Sequence, residues 1–418
     1  MRIMTIIDGF PPEHSGGSEH VALNLSLGIK DAGNEVVVVT TTQDKKMEGE
    51  SSHEGLRIIR IFSSYDSKFL ESYLGVFNPF IKNKFVKTIK SEKPDIVHFH
   101  NIHKHISYAA FKWVRDNSRA SIFFTAHDVM SFSYSRLTHF IDPANPVSGG
   151  GHSYKLSFFE ILRQAGRAYN PFRNTLIRNY FLNVKKIFVV SDALGQAFIQ
   201  NGISNVQTIY NGIDMSRLNL SEEDVKTFKN RYSLNNKKVI LFAGRSMSAK
   251  GLVPLINSLP AVISKVPNAV LAIAINPFGK YADFIRGVIS KMNLTQHIVI
   301  LGLLKDREWS AMFNAVDVVT VPSIYFDPAP LVTMEAMAAK KPVVGTCFGG
   351  TPEIMEDKET GFVVNPYNQG LLSDKIIELL NDEILSQKFG LKGFERLKSS
   401  FTIKHQVSEV LQAYATLK

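Results

Sequence analysis

Short runs of branched apolar residues recur along this chain, each followed by a longer stretch of helical period. That alternation constrains the fold more than any other feature. A run such as Glu35-Val-Val-Val-Val-Thr40 is apolar on both faces. A strand with one wet face would alternate, so a continuous apolar strand belongs in a parallel sheet covered by helices on both sides. The pattern predicts strands near 2–7, 35–40, 57–61, 95–99, 121–125, 186–190 and 206–209. A second set follows near 238–243, 269–275, 298–301, 317–320, 342–345 and 361–364. The expected class is α/β, with two doubly wound parallel-sheet domains, because 418 residues exceed the roughly 250–300 that one core supports. The seam falls within 211–235, dividing 1–215 from 216–400, and Ser221 followed by Glu222, Glu223 and Asp224 reads there as a helix N-cap.

Cys347 is the only cysteine, which excludes an internal disulfide and suits a reducing cytoplasm. No apolar run approaches the roughly 20 residues that span a bilayer. The formal charge is +10. Within 151–190, Lys155, Arg163, Arg167, Arg173, Arg178, Lys185 and Lys186 face Glu160 alone. A solvated helix face explains this, and so does attraction to an anionic surface. No nucleic-acid-binding signature accompanies the charge. Residues 68–90 mix aromatic residues with lysines, which fits a helix packed on the sheet or one lying on a membrane. Residues 131–180, which contain Gly149-Gly150-Gly151, read as a long irregular insertion.

Open α/β sheets bind ligands at the carboxyl ends of their strands. After the first strand, Gly16-Gly17 would offer bare backbone N–H groups at a helix N-terminus, though such a turn also serves plain loops. After the fifth comes His127, able to hydrogen-bond a sugar hydroxyl or to act as a base near neutral pH, or else satisfied within its own domain. His98, His100, His103 and His105 crowd the end of the fourth strand without the spacing of a closed zinc site. In the second half, Arg245 and Lys250 share one strand-to-helix loop, and two fixed cations suit a diphosphate leaving group. Phe326-Asp327-Pro-Ala-Pro-Leu331-Val332 leads into a helix whose first N–H groups suit phosphate, with Asp327 and Glu335 placed for sugar and ribose hydroxyls.

Taken together, several stretches resemble glycosyltransferase family 4 over essentially the whole chain. They are Gly16-Gly17-Ser-Glu19, Pro94-Asp-Ile-Val-His98, Thr125-Ala-His127-Asp128, Ile209-Tyr-Asn-Gly-Ile-Asp214, Gly244-Arg245…Lys250-Gly251, Asn314-Ala-Val-Asp-Val318, Glu335-Ala-Met-Ala338 and Gly349-Gly-Thr-Pro-Glu353. The resemblance implies GT-B architecture, two Rossmann-like domains with an interdomain cleft, and residues 401–418 as a helix crossing back to the first domain. It implies retention of anomeric configuration and a nucleotide-diphosphate sugar donor, a UDP- or GDP-sugar. Arg245 and Lys250 would hold the diphosphate and Glu335 the ribose. Gly16 and Gly17 would close over the phosphates, His127 would lie near the transferred sugar, and Phe326, Leu331 and Val332 would flank sugar and phosphate. A lipid-linked or polysaccharide acceptor at the inner face of a membrane is expected, with no metal and no other cofactor, as no D-x-D motif is present.

This sequence departs from the family in two places. The first acidic residue of the E-x7-E pair is Asp327, one methylene shorter, which leaves the sugar open. The turn Ile275-Asn-Pro-Phe-Gly279-Lys280-Tyr281 is bulkier than the family's small glycine-rich turn. Three other readings stay open on the residues alone: a nucleotide-sugar 2-epimerase, a phosphorylase with a lysine-bound pyridoxal, and a non-catalytic nucleotide-sugar binder.

Overall fold

The computed structural model describes residues 1–65, 67–147 and 151–417, so Gly149 and Gly150 of the glycine run lie outside the described residues. The chain forms two compact units. The first comprises Met1–Leu137, Ser153–Gly212 and Ile403–Lys418; the second comprises Thr138–His152 and Ile213–Thr402. The stretch Thr138–His152 therefore corrects the expected division, since it lies inside 1–215 in sequence but belongs to the second unit. Asn365 Nδ2 donates to the Val147 carbonyl at 3.0 Å, and the Phe140 ring packs near Phe326 and Phe348. Nothing in local pattern encodes that long-range docking.

In the first unit the strands are β1 Arg2–Ile6, β2 Glu35–Thr42, β3 Gly49–His53, β4 Leu56–Phe62, β5 Ile96–Phe99, β6 Ser121–Ala126, β7 Lys186–Val189 and β8 Val206–Thr208. Their order is β3-β4-β2-β1-β5-β6-β7-β8, parallel except for β3 against β4. Strand β3 is an addition to the strands read from the sequence. Its sequence, Gly-Glu-Ser-Ser-His, is polar because it forms a sheet edge, so no apolar pattern announces it. Glu54 and Gly55, both at positive φ, make the two-residue hairpin turn into β4. Ile3, Val38, Ile58, Ile96, Phe123 and Phe188 fill the core on one face. Helix Gly17–Asp31 adds Ala22, Leu25 and Ile29, and the last helix, Ile403–Leu417, adds Val407, Val410 and Tyr414. The Tyr414 hydroxyl and His98 Nδ1 share a hydrogen bond of 2.6 Å in that core, while His98 Nε2 meets the Thr125 hydroxyl at 2.7 Å.

The second unit holds β9 Lys238–Ala243, β10 Ala269–Ala274, β11 Ile298–Ile300, β12 Val318–Val321, β13 Val343–Thr346 and β14 Gly361–Val364. The order is β11-β10-β9-β12-β13-β14, all parallel. The expected N-cap at Ser221 is present as a capping box with Asp224. In each sheet the winding direction reverses once, between β1 and β5 and between β9 and β12. Ligands of open α/β sheets collect at such switch points.

Two local expectations change. The region 131–180 is not irregular throughout, because helices form at Phe158–Ala165 and Arg173–Phe181, the former opened by a Ser157–Glu160 capping box. Residues 68–90 form two helices, Lys68–Leu74 and Pro79–Glu92. Ile81, Phe85 and Ile89 turn inward, whereas Phe69, Tyr73 and Phe80 remain exposed.

Candidate active site

The second unit's switch point is built by the loops after β9 and β12. The β9 loop makes a single tight turn, Ser248–Lys250, and then Gly251 at φ +78°. A Cβ at Gly251 would lie 1.7 Å from the Pro322 carbonyl oxygen, so only glycine lets the two loops close together. The Ile324 N–H donates across the gap to the Ala249 carbonyl at 2.8 Å. The β13 loop clamps the other side. Gly350 N–H donates to the Asp327 carbonyl at 2.9 Å, and Gly349 sits at φ +68° hard against the Asp327 backbone.

This close packing brings Lys250 Nζ to 2.6 Å from Asp327 Oδ2, which also accepts from the Ser323 hydroxyl at 2.8 Å. Burial works against the ammonium, yet the Asp327 carboxylate and Tyr325 outweigh it and hold Lys250 above its ordinary pKa. Burial likewise opposes the Asp327 charge, and Lys250 overcomes it, leaving that carboxyl below its usual range. Both groups are thus charged at neutral pH. Asp327, read from sequence as a sugar contact, spends one oxygen on Lys250 and Ser323. Arg245 is exposed and has no carboxylate partner among the described residues. Its charge reaches the Tyr325 phenol, which places it beside the same loop.

Helix Leu331–Ala338 begins after Pro330 with no side-chain cap, so the N–H groups of Leu331 and Val332 open its N-terminus. One turn on, the Glu335 carboxyl accepts from Trp309 Nε1 at 2.9 Å. Burial pushes that carboxyl up to about 7, against the pull of the indole N–H. The Phe326 ring is buried and packs in the cluster with Phe140, so it anchors the loop. Trp309 went unread in the sequence, since an aromatic residue in a helix carries no mark of what it faces. Replacing Gly251 with alanine is expected to destabilise the protein by about 3 kcal/mol or more, through strain at positive φ plus the Pro322 clash. Urea unfolding measures it, and a loss below about 1 kcal/mol would contradict the loop packing.

In the first unit the switch-point loops follow β1 and β5. The Asp8 carboxylate joins them by accepting the N–H groups of Lys104 and Ile106, each at 2.7 Å. Gly16 is the extended cap of helix Gly17–Asp31, which carries no side-chain cap and has Glu19 in its first turn. His127, just past β6, shares a hydrogen bond of 2.9 Å between its Nε2 and His100 Nδ1, with the rings stacked. Burial pushes His127 down to about 4, with Asp128 and Glu19 opposing in part. That shift favours the neutral imidazole at physiological pH. It remains able to hydrogen-bond. Burial lowers His98 and His100 as well. Among the described residues, no three His, Cys, Asp or Glu side chains cluster as a metal site, and no helix is long and apolar enough to cross a membrane.

Residues 224–396 match the family Glycosyl transferases group 1, and residues 15–217 match Glycosyltransferase Family 4. An uncharacterised glycosyltransferase from Methanocaldococcus jannaschii is 24% identical over 391 residues, covering 91% of this chain and 90% of that one. YtcC of Bacillus subtilis is 27% identical over 250 residues, 56% of this chain, and the match spans only 61% of its length. Among solved structures, sucrose-phosphate synthase from Thermosynechococcus elongatus superposes with a TM-score of 0.77 at 20% identity, covering 100% of this chain and 98% of that one. HepE from Anabaena, solved with UDP, gives 0.73 at 18% identity and covers 100% of both chains; it has also been solved with UDP-glucose. With two family matches spanning most of its length on two parallel-sheet units, the chain belongs to the group 1 glycosyltransferases of family 4 and has the GT-B fold.

Proposed function

We propose that this protein moves a sugar from a UDP- or GDP-sugar to a lipid-linked or polysaccharide acceptor, with retention and without a metal, in cell-surface glycan or glycolipid synthesis. One observation carries the reading: a largely buried ammonium, an exposed guanidinium with no carboxylate partner among the described residues and a helix N-terminus without a side-chain cap all stand on the loops after β9 and β12, at the second unit's switch point. Each stabilises anionic charge, and together they suit the diphosphate that accumulates charge as the glycosidic bond breaks. Glu335 would accept the ribose hydroxyls. Gly16, Gly17 and His127 are assigned to the phosphates and the transferred sugar on family resemblance, and the UDP complexes of HepE support a nucleotide donor. Asp327 is tied to Lys250 and Ser323, which leaves it ill placed as a nucleophile. In the proposed step the acceptor oxygen attacks the anomeric carbon on the face the diphosphate leaves, and the acceptor proton passes to a departing phosphate oxygen.

The membrane part of the reading rests on a surface of the first unit. Phe69 packs on Tyr73, the Tyr73 hydroxyl donates to the Tyr169 carbonyl, and Phe158 joins Tyr169 and Phe159. Phe158 is 58% and Phe159 79% exposed, and Arg163 and Arg167 beside them are exposed too. Exposed aromatic rings flanked by cations suit an anionic lipid interface. Two assays test the whole reading. Incubation with UDP- and GDP-sugars in excess chelator should yield product of retained anomeric configuration by NMR, and Arg245→Ala should abolish it. Co-sedimentation should favour anionic over neutral vesicles and weaken in Phe158→Ser/Phe159→Ser. Inverted product would sink retention, metal-dependent turnover the metal claim, and equal failure on both vesicles the membrane claim.

A further inference from the structure

Glu335 is held by a residue that the family motifs do not contain. Trp309 lies in the first turns of helix Asp306–Ala315, which precedes β12, whereas Glu335 lies on the helix that follows it. The indole is fixed edge-on against Phe313, one turn further along, at 5.6 Å and 78°. Phe313 is itself fully buried. In that position its N–H reaches Glu335 Oε1 at 2.9 Å. Indole N–H only donates, while a carboxylate has about four lone-pair sites. Trp309 therefore occupies one site on Oε1, restrains the carboxylate from that side and leaves the rest for other donors. The vicinal hydroxyls of a ribose are two such donors at matching spacing.

We propose that Trp309 is a positioning residue that orients the Glu335 carboxylate toward both ribose hydroxyls of the nucleotide, and so makes the enzyme prefer ribonucleoside over 2′-deoxyribonucleoside diphosphates. This rests on the reading of Glu335 given above. A site built to hydrogen-bond a hydroxyl discriminates against the analogue lacking it, because its own polar group is left unpaired. Burial raises the Glu335 pKa and the indole lowers it; no charged side chain among the described residues acts on it. Nucleotide affinity should therefore strengthen as pH rises through about 7, when the carboxyl loses its proton and becomes an acceptor at both oxygens. Losing the indole N–H should move that midpoint to higher pH.

The test measures dissociation constants of the full chain for UDP and 2′-deoxy-UDP, and for GDP and 2′-deoxy-GDP, between pH 6 and pH 9. The wild type should prefer the ribonucleotide by about tenfold or more, in line with one charge-assisted hydrogen bond. In Trp309→Phe that preference should fall to about threefold or less, and the pH midpoint should move upward. Glu335→Gln should lose most of the preference and flatten the pH dependence to what the nucleotide's own phosphate, with a second pKa of about 6, contributes. If Glu335→Gln loses the preference while Trp309→Phe keeps the wild-type ratio and midpoint, the role of Trp309 is refuted and the ribose reading survives. If Glu335→Gln itself keeps the preference, both fall. A second readout leaves Trp309 intact. The chain has two tryptophans, and Trp113→Phe isolates Trp309, whose emission should change with UDP and much less with 2′-deoxy-UDP. No change with UDP in that variant overturns the proposal.

Discussion

Lys250→Met is expected to lower turnover by at least about a hundredfold and to cost about 3 kcal/mol of stability at pH 7. The two losses have different origins. Turnover falls because the ammonium that would meet the developing phosphate charge is gone. Stability falls because Asp327 is left as a buried carboxylate with only hydroxyl partners among its described neighbours, Ser323 and Tyr325. Its pKa is held down by Lys250 in the wild type; without that cation, burial prevails and raises it. A carboxyl raised in the folded state contributes stability below its ordinary pKa of 3.8 and loses it as pH rises through the new value. The deficit of Lys250→Met should therefore shrink toward pH 4 and grow toward neutrality. The double variant Lys250→Met/Asp327→Leu removes both charges and should recover most of the stability, because an apolar pair of similar volume costs little in a buried site. It should recover no activity. Urea unfolding at several pH values, beside turnover with the accepted donor, separates the two effects. A double variant as unstable as the single one would show that the ion pair is not the source of the cost.

Glu335→Gln carries the second large effect, and its sign for stability is opposite. The Glu335 carboxyl is raised from 4.5 to about 7 by burial. The folded protein holds that proton more tightly than the unfolded chain does, so the group's contribution is complete below pH 4.5 and is lost as pH rises through 7. The loss amounts to about 3 kcal/mol above pH 8, at roughly 1.4 kcal/mol per tenfold change in proton affinity. Glutamine never ionises and avoids that loss. The variant should match the wild type near pH 4.5 and exceed it in stability by up to about 3 kcal/mol at pH 8, while losing nucleotide affinity. Thermal unfolding across this range tests it, and a stability gap that does not change with pH would refute the buried carboxylate. A side chain that weakens the fold when charged, yet sits one turn inside an uncapped helix N-terminus, has the signature of a binding group.

Much of this was legible in the chain itself. Continuous apolar strands such as Val36–Val39 can only be buried on both faces, so the parallel sheets and their windings follow from periodicity. The placement of Arg245 and Lys250 on the loop after β9, and of Glu335 on the helix after β12, was legible because these residues stand at fixed offsets from strand ends and a helix start, where local geometry governs position. Strand β3 was not, since a polar edge strand lacks apolar alternation. The lowered proton affinity of His127 was not either, because burial sets it, and burial is a property of the assembled fold.

The amino-acid order alone determined the α/β class, the two sets of strands and the loops that carry cationic and acidic side chains, because these depend on residues a few positions apart. Tertiary structure decided the partnerships. It closed Gly251 on Pro322 so that Lys250 and Asp327 pair, laid Trp309 against Glu335, and drew Thr138–His152 into the second unit. Each joins positions that lie far apart along the chain, and their contact is set by how helices and loops pack on the sheets, which no local pattern contains.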